Sequence, residues 1–141
     1  MGADWSPNRL QWPHASAPGS AKMKSTGDKY ENAAAAMICD QGLHILARNF
    51  SAKTGEIDII ALDGEYLVFL EVRARSNPYY LSAAASVDRR KQGRILRTAQ
   101  IFLQRYKQWA HLPCRFDVIA FEPRQSGSGL SSNWIRSAFT A

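Results

Sequence analysis

The chain has 141 residues, the usual size of one compact domain, and with 45% apolar and 21% charged residues it lies outside the low-hydrophobicity, high-charge regime of disorder. It contains no apolar run long enough to span a membrane and no basic-then-apolar leader, so a cytoplasmic setting without a membrane partner is expected. The net charge of +6 is concentrated: between Ser86 and Ala110, Arg89, Arg90, Lys91, Arg94, Arg97, Arg105 and Lys107 are opposed only by Asp88, the footprint of an anionic partner with nucleic acid first.

Residues 1–24, broken by Pro7, Pro13 and Pro18, read as a flexible tail carrying Trp5 and Trp12, and residues 25–141 as the folded domain. Asp28 and Glu31 have capping-box spacing, which predicts a helix from Asp28 to a stop near Gly42. Strands follow at His44 to Phe50, Glu56 to Leu62 and Tyr66 to Arg73, the last two joined by an Asp63-Gly64 hairpin loop. Ser76-Asn77-Pro78 closes the third strand. A long helix is expected from Ser86 to Trp109, packing through Val87, Ile95, Ala99, Phe102, Leu103 and Tyr106. After Pro113 come a strand at Arg115 to Phe121, a loop at 126–129 and a short strand at Asn133 to Ser137. The order is α-β-β-β-α-β with a further strand, a mixed α/β (α+β) sheet in a single domain. Cys39 and Cys114 form no recognisable pair and read as buried reduced thiols, and His14, His44 and His111 have no zinc-ligand spacing.

A two-residue Asp63-Gly64 loop sets Asp58 opposite Phe69 and Glu56 opposite Glu71. Because strand side chains alternate, Glu56, Asp58, Glu71 and Arg73 then share one face, while Ile57, Ile59, Val68, Leu70 and Val72 share the other. Carboxylates gathered in this way need a compensating cation. Asp58 and Glu71 are therefore candidate ligands for Mg²⁺ or Mn²⁺, which are commonly held by one or two carboxylates and completed by water and substrate phosphate. The competing reading is a solvent-facing hairpin whose acids pair with Arg73 and Arg75.

Gly55-Glu-Ile-Asp58-Ile-Ile, Val68-Phe-Leu-Glu71-Val-Arg73-Ala-Arg75, Val87 with Lys91, and Arg115-Phe-Asp117-Val resemble the YraN family of predicted endonuclease-like proteins. Gly27-x-x-x-Glu31-x-x-Ala34, Ile45-Leu-Ala-Arg48-Asn49 and Ala138-Phe139 are similar to its other motifs, so the resemblance spans nearly everything except the tail. It implies the restriction-endonuclease-like, or PD-(D/E)xK, fold with an αβββαβ core. It further implies that Asp58 and Glu71 bind metal, that Arg73 stands at the position of the motif lysine, and that Glu31 is a further acidic site residue. Two departures are visible: no proline precedes Asp58, and arginine stays protonated at Arg73, where it can position water or stabilise phosphate charge but not take a proton. On the long helix Arg90, Arg94 and Arg97 form one stripe, with Lys91 at the family's lysine position; with Arg75 these are the candidate phosphate contacts.

The leading expectation is a metal-dependent endonuclease acting on DNA rather than RNA, on branched, nicked or single-stranded forms, with a homodimer suited to four-way junctions. The alternative is a non-catalytic nucleic-acid-binding module that retains the nuclease fold. A third reading, a membrane-surface or protein-partner adaptor, uses the basic helix and the tryptophan tail.

Overall fold

A computed structural model describes residues 25–74, 86–123 and 130–140. The tail, Arg75, the Ser76-Asn77-Pro78 strand end and the 126–129 loop lie outside the described residues.

The first helix, α1, spans Ser25–Asp40, and the second, α2, spans Arg89–Arg105, followed by one 3-10 turn at Lys107–Trp109. Strands β1 (His44–Ala52), β2 (Gly55–Asp63), β3 (Tyr66–Ala74), β4 (Cys114–Pro123) and β5 (Leu130–Phe139) form one sheet in sequence order. All neighbours are antiparallel except β3 and β4, which are parallel. Parallel neighbours need a crossover, and α2 lies within it. The expected mixed α+β, single-domain αβββαβ order with an added strand is therefore present. Among the described residues no helix is long and apolar enough to cross a membrane.

Both faces of the sheet are buried. On one, Ile38 and Ala34 of α1 pack with Ile59, Ala61, Val68, Leu70 and Ile119. On the other, Ile95, Ala99 and Phe102 of α2 pack with Ile57, Ile60, Leu62, Leu67 and Phe69, and Val87, Leu103 and Tyr106 join this core as expected. Phe102 is fully buried and meets Phe50 and Phe69 edge-on at 5.2 and 5.9 Å between centroids. Such pairs add to the area they remove from water.

Three expectations change. Helix α1 begins at Ser25, which puts Asp28 and Glu31 inside it; Glu31 is not a capping residue there. The hairpin loop is Gly64-Glu65, since Asp63 pairs with Tyr66 and Ile59 with Leu70. Gly64 has φ 60° and Glu65 is not among the positive-φ residues, which matches a turn with glycine first (type II′) rather than the Asp-Gly type that needs both residues left-handed. Cys39 and Cys114 are free and exposed.

Helix α2 straddles the sheet at a defined height. The Asp88 carboxylate accepts the Lys91 N–H at 2.9 Å and caps the first turn, a contact worth about 1 kcal/mol. Further along, the Thr98 hydroxyl donates to the Arg94 carbonyl at 2.9 Å and lies 2.6 Å from the Thr54 hydroxyl in the β1–β2 turn. Gly55 follows at φ 147°, a conformation that side chains rarely adopt.

Candidate metal centre

The sheet divides. The β2–β3 ladder ends at Ile59 opposite Leu70, while β2 stays paired with β1 as far as Gly55 and β3 stays paired with β4 as far as Ala74. Asp58 is the first residue on one prong of this fork and Glu71 the first on the other. The Val72 N–H, which a continuous ladder would pair with β2 backbone, instead donates to Asp58 Oδ2 at 2.8 Å.

Each layer sends a side chain to the fork. From the α2 face, Lys91 Nζ stands 3.1 Å from Glu71 Oε2, and Arg73 Nη1 stands 3.7 Å from the same oxygen. Arg73 is tied back by its Nε, which donates to Ser86 Oγ at 2.9 Å. From the α1 face, Glu31 faces Asp58, while Arg48 Nη2 reaches Asn32 Oδ1 at 2.8 Å and lies 3.8 Å from Glu31 Oε1. That oxygen is buried and has no hydrogen-bond partner, 3.8 Å being beyond hydrogen-bond reach.

Three carboxyls so placed resist ionisation. Burial, then the negative charge of Glu71, pushes Asp58 up to about 7 against the favourable Val72 N–H. Burial, then Asp58, pushes Glu31 up to about 7, opposed by hydrogen bonding from Asn49 and by the Arg48 charge. Glu71, only 4% exposed, is raised by burial and held back by Lys91 and Arg73. Lys91, Arg73 and Arg48 offset the cluster's charge only in part, since all three carboxyls stay raised. Its all-oxygen donor set and its orphaned carboxylate oxygen suit a hard divalent cation. Among the described residues no three acidic, histidine or cysteine side chains stand ready-made around a metal position. The fit is to a site of few carboxylates completed by water and phosphate, rather than to an all-protein cage.

The structure thus brings together Asp58, Glu71, Arg73 and Glu31 from the sequence candidates. Lys91, also among the candidate phosphate contacts, forms an ion pair with Glu71 from the first turn of α2, which Asp88 caps. Arg90, Arg94 and Arg97 are exposed along α2, and Arg75 lies outside the described residues. Sequence reasoning gave no role to Arg48, Asn49 or Ser86; the only sign of the first two was their place in a motif.

These features define a small α+β protein whose split sheet gathers Glu31, Asp58 and the buried Glu71 with Arg48, Arg73 and Lys91 where its strands part. The uncharacterised protein family UPF0102 matches residues 30–121, a span that includes the whole fork. UPF0102 proteins of Stutzerimonas stutzeri and Alcanivorax borkumensis are 43% and 48% identical to the chain over 119 and 116 residues, covering 84% and 82% of it and 98% and 92% of those relatives. The chain belongs to this YraN-like family, UPF0102.

Proposed function

We propose that this chain is a divalent-metal-dependent endonuclease of the PD-(D/E)xK type that hydrolyses phosphodiester bonds in DNA, with branched or single-stranded forms as substrates. The observation that carries the reading is the convergence of Asp58 and Glu71 across the sheet fork, with Lys91 Nζ 3.1 Å from Glu71. Asp58 and Glu71 hold Mg²⁺ or Mn²⁺, and Glu31 adds a third carboxyl beside them. The bound cation supplies Lewis acidity, which eases deprotonation of the attacking water and offsets charge on the phosphate. As the water oxygen bonds phosphorus, the bond to one ester oxygen breaks; overall one hydrogen of the water ends on that departing oxygen, delivered through solvent, and the other stays on the new phosphate monoester or passes to solvent. Lys91 orients the water from the Glu71 side, a task for which an amine at Arg73 is absent. Arg73 faces the phosphate, and exposed Arg90, Arg94 and Arg97 contact the strand, which sets affinity and salt dependence without reading sequence.

Arginine at position 73 favours a second reading, a nucleic-acid-binding module that keeps the fold without cleavage. One experiment separates the two. Mg²⁺ and Mn²⁺ are titrated into the protein with labelled duplex, single-stranded, flap and four-way-junction DNA, beside Glu71→Ala. Metal-dependent cleavage lost in the variant is the expected result. Tight, salt-sensitive binding without cleavage in either protein selects the module.

Cation binding also displaces protons, since Asp58 and Glu31 are raised to about 7 and ligands must ionise. Calorimetry near pH 7 in buffers of different ionisation enthalpy is expected to show release of about one proton per Mg²⁺ bound. Proton uptake, or none exchanged, contradicts the assignment.

A further inference from the structure

Strands β1 and β2 do not alternate regularly through the fork. Ala47 pairs with Ile60 and Phe50 with Ile57, and all four pack on the α2 side although each strand separates its two residues by three. Ile59, two residues from Ile57, packs on the α1 side, which regular alternation forbids. Between these pairs stands Asn49, which the flanking pairs Arg48–Ile59 and Phe50–Ile57 set opposite Asp58. Its φ is 56°, the left-handed region that a non-glycine residue enters at a cost and that clusters at functional sites. The ribbon therefore turns over at the Asn49/Asp58 pair.

We propose that Asn49 is a positioning residue of the carboxylate fork: its left-handed backbone turns Asp58 toward the far prong, and its amide holds Glu31 beside Asp58 to receive a divalent cation. The cation's identity rests on the function proposed above; the placement of Glu31 does not. The amide is the one feature that glycine, the natural occupant of this backbone conformation, cannot supply. The Asn49 side chain is hydrogen-bonded to the Glu31 carboxyl. Arg48, the preceding residue, bonds Asn32 Oδ1 at 2.8 Å, one residue beyond Glu31 on α1, and so fixes the same helix turn from the same strand.

The test uses the full chain with Asn49→Gly, which keeps the backbone conformation and removes the amide. Mn²⁺ binding is followed by electron paramagnetic resonance, and melting is followed beside it. The expected result is a melting temperature near that of the wild type with Mn²⁺ affinity lowered about 10–100-fold, the usual loss when a residue orienting a ligand is removed. A merely structural role would lower melting and leave the affinity of the folded protein alone. Unchanged affinity in Asn49→Gly overturns the proposal. In parallel, Asn49→Gly, Glu31→Gln and the double variant are unfolded by urea without metal. Non-additive stabilities show that Asn49 holds Glu31, and additivity overturns that. If the wild type binds no Mn²⁺, the metal reading fails, and this cycle alone decides whether Asn49 positions Glu31.

Discussion

On the proposed nuclease function, Asp58→Asn is expected to abolish metal-supported cleavage, by at least about 10³-fold, and, whatever the activity, to make the metal-free protein more stable above pH 7. The first effect is the several kcal/mol of charge stabilisation that a metal ligand makes available, at about 1.4 kcal/mol per tenfold in rate. The second follows from linkage. A carboxyl raised from 3.8 to about 7 in the folded state favours folding below its ordinary value, and that contribution is lost as pH rises through about 7. Asparagine has no charge to bury and keeps an oxygen for the Val72 N–H, which Asp58 accepts at 2.8 Å. The stability difference from wild type should therefore be small near pH 4 and grow toward pH 8, with about 4 kcal/mol as its ceiling at 1.36 kcal/mol per pKa unit. Urea unfolding at several pH values measures it. A variant less stable than wild type at pH 8, with metal chelated, contradicts the account of the fork.

Asp117→Ala is expected to cost about 3–5 kcal/mol, a large share of the roughly 5–15 kcal/mol that holds a domain together. Asp117 is fully buried, and its carboxyl oxygens are saturated with hydrogen bonds. Arg115 Nε donates at 3.0 Å to Oδ1 and Arg115 Nη2 at 3.0 Å to Oδ2; Trp134 Nε1 and the Ser137 N–H each donate at 3.0 Å. The β4–β5 register shifts between Phe116 and Val118, and Ser137 has φ 54°, so this carboxylate does the work that a regular ladder would do. Arg115 also reaches Asp63 Oδ2 at 2.9 Å and ties β4 to the β2–β3 hairpin. Removing the carboxylate leaves an indole N–H and a backbone N–H without their acceptor and leaves the Arg115 guanidinium to Asp63 alone. A loss under about 1 kcal/mol in denaturant unfolding contradicts this reading.

Asp58 and Glu71 were legible in the sequence because the misplaced hairpin loop shifts the pairing by two residues, which keeps the parity of the strands where they pair; Ile57, expected on the face of Ile59, lies on the opposite one. The apolar positions of α2 were legible because a surface helix buries one stripe. The fork was not. Alternation assumes one buried face, whereas here both faces are covered, so Ile57 and Ile59 look alike in sequence and enter different cores. The role of Lys91 was hidden for a related reason: its place among arginines describes the helix surface, while its contact with Glu71 depends on how the crossover sets the first turn against β3.

The Val72 hydrogen bond has a consequence for observing the site without any substrate. One backbone amide of β3 is protected by a titratable side chain instead of by a neighbouring strand. Its solvent exchange and its chemical shift follow the protonation of Asp58, while its neighbours, bonded along the parallel β3–β4 ladder, follow the stability of the sheet. A single nuclear magnetic resonance signal thus separates what happens in the fork from what happens to the fold.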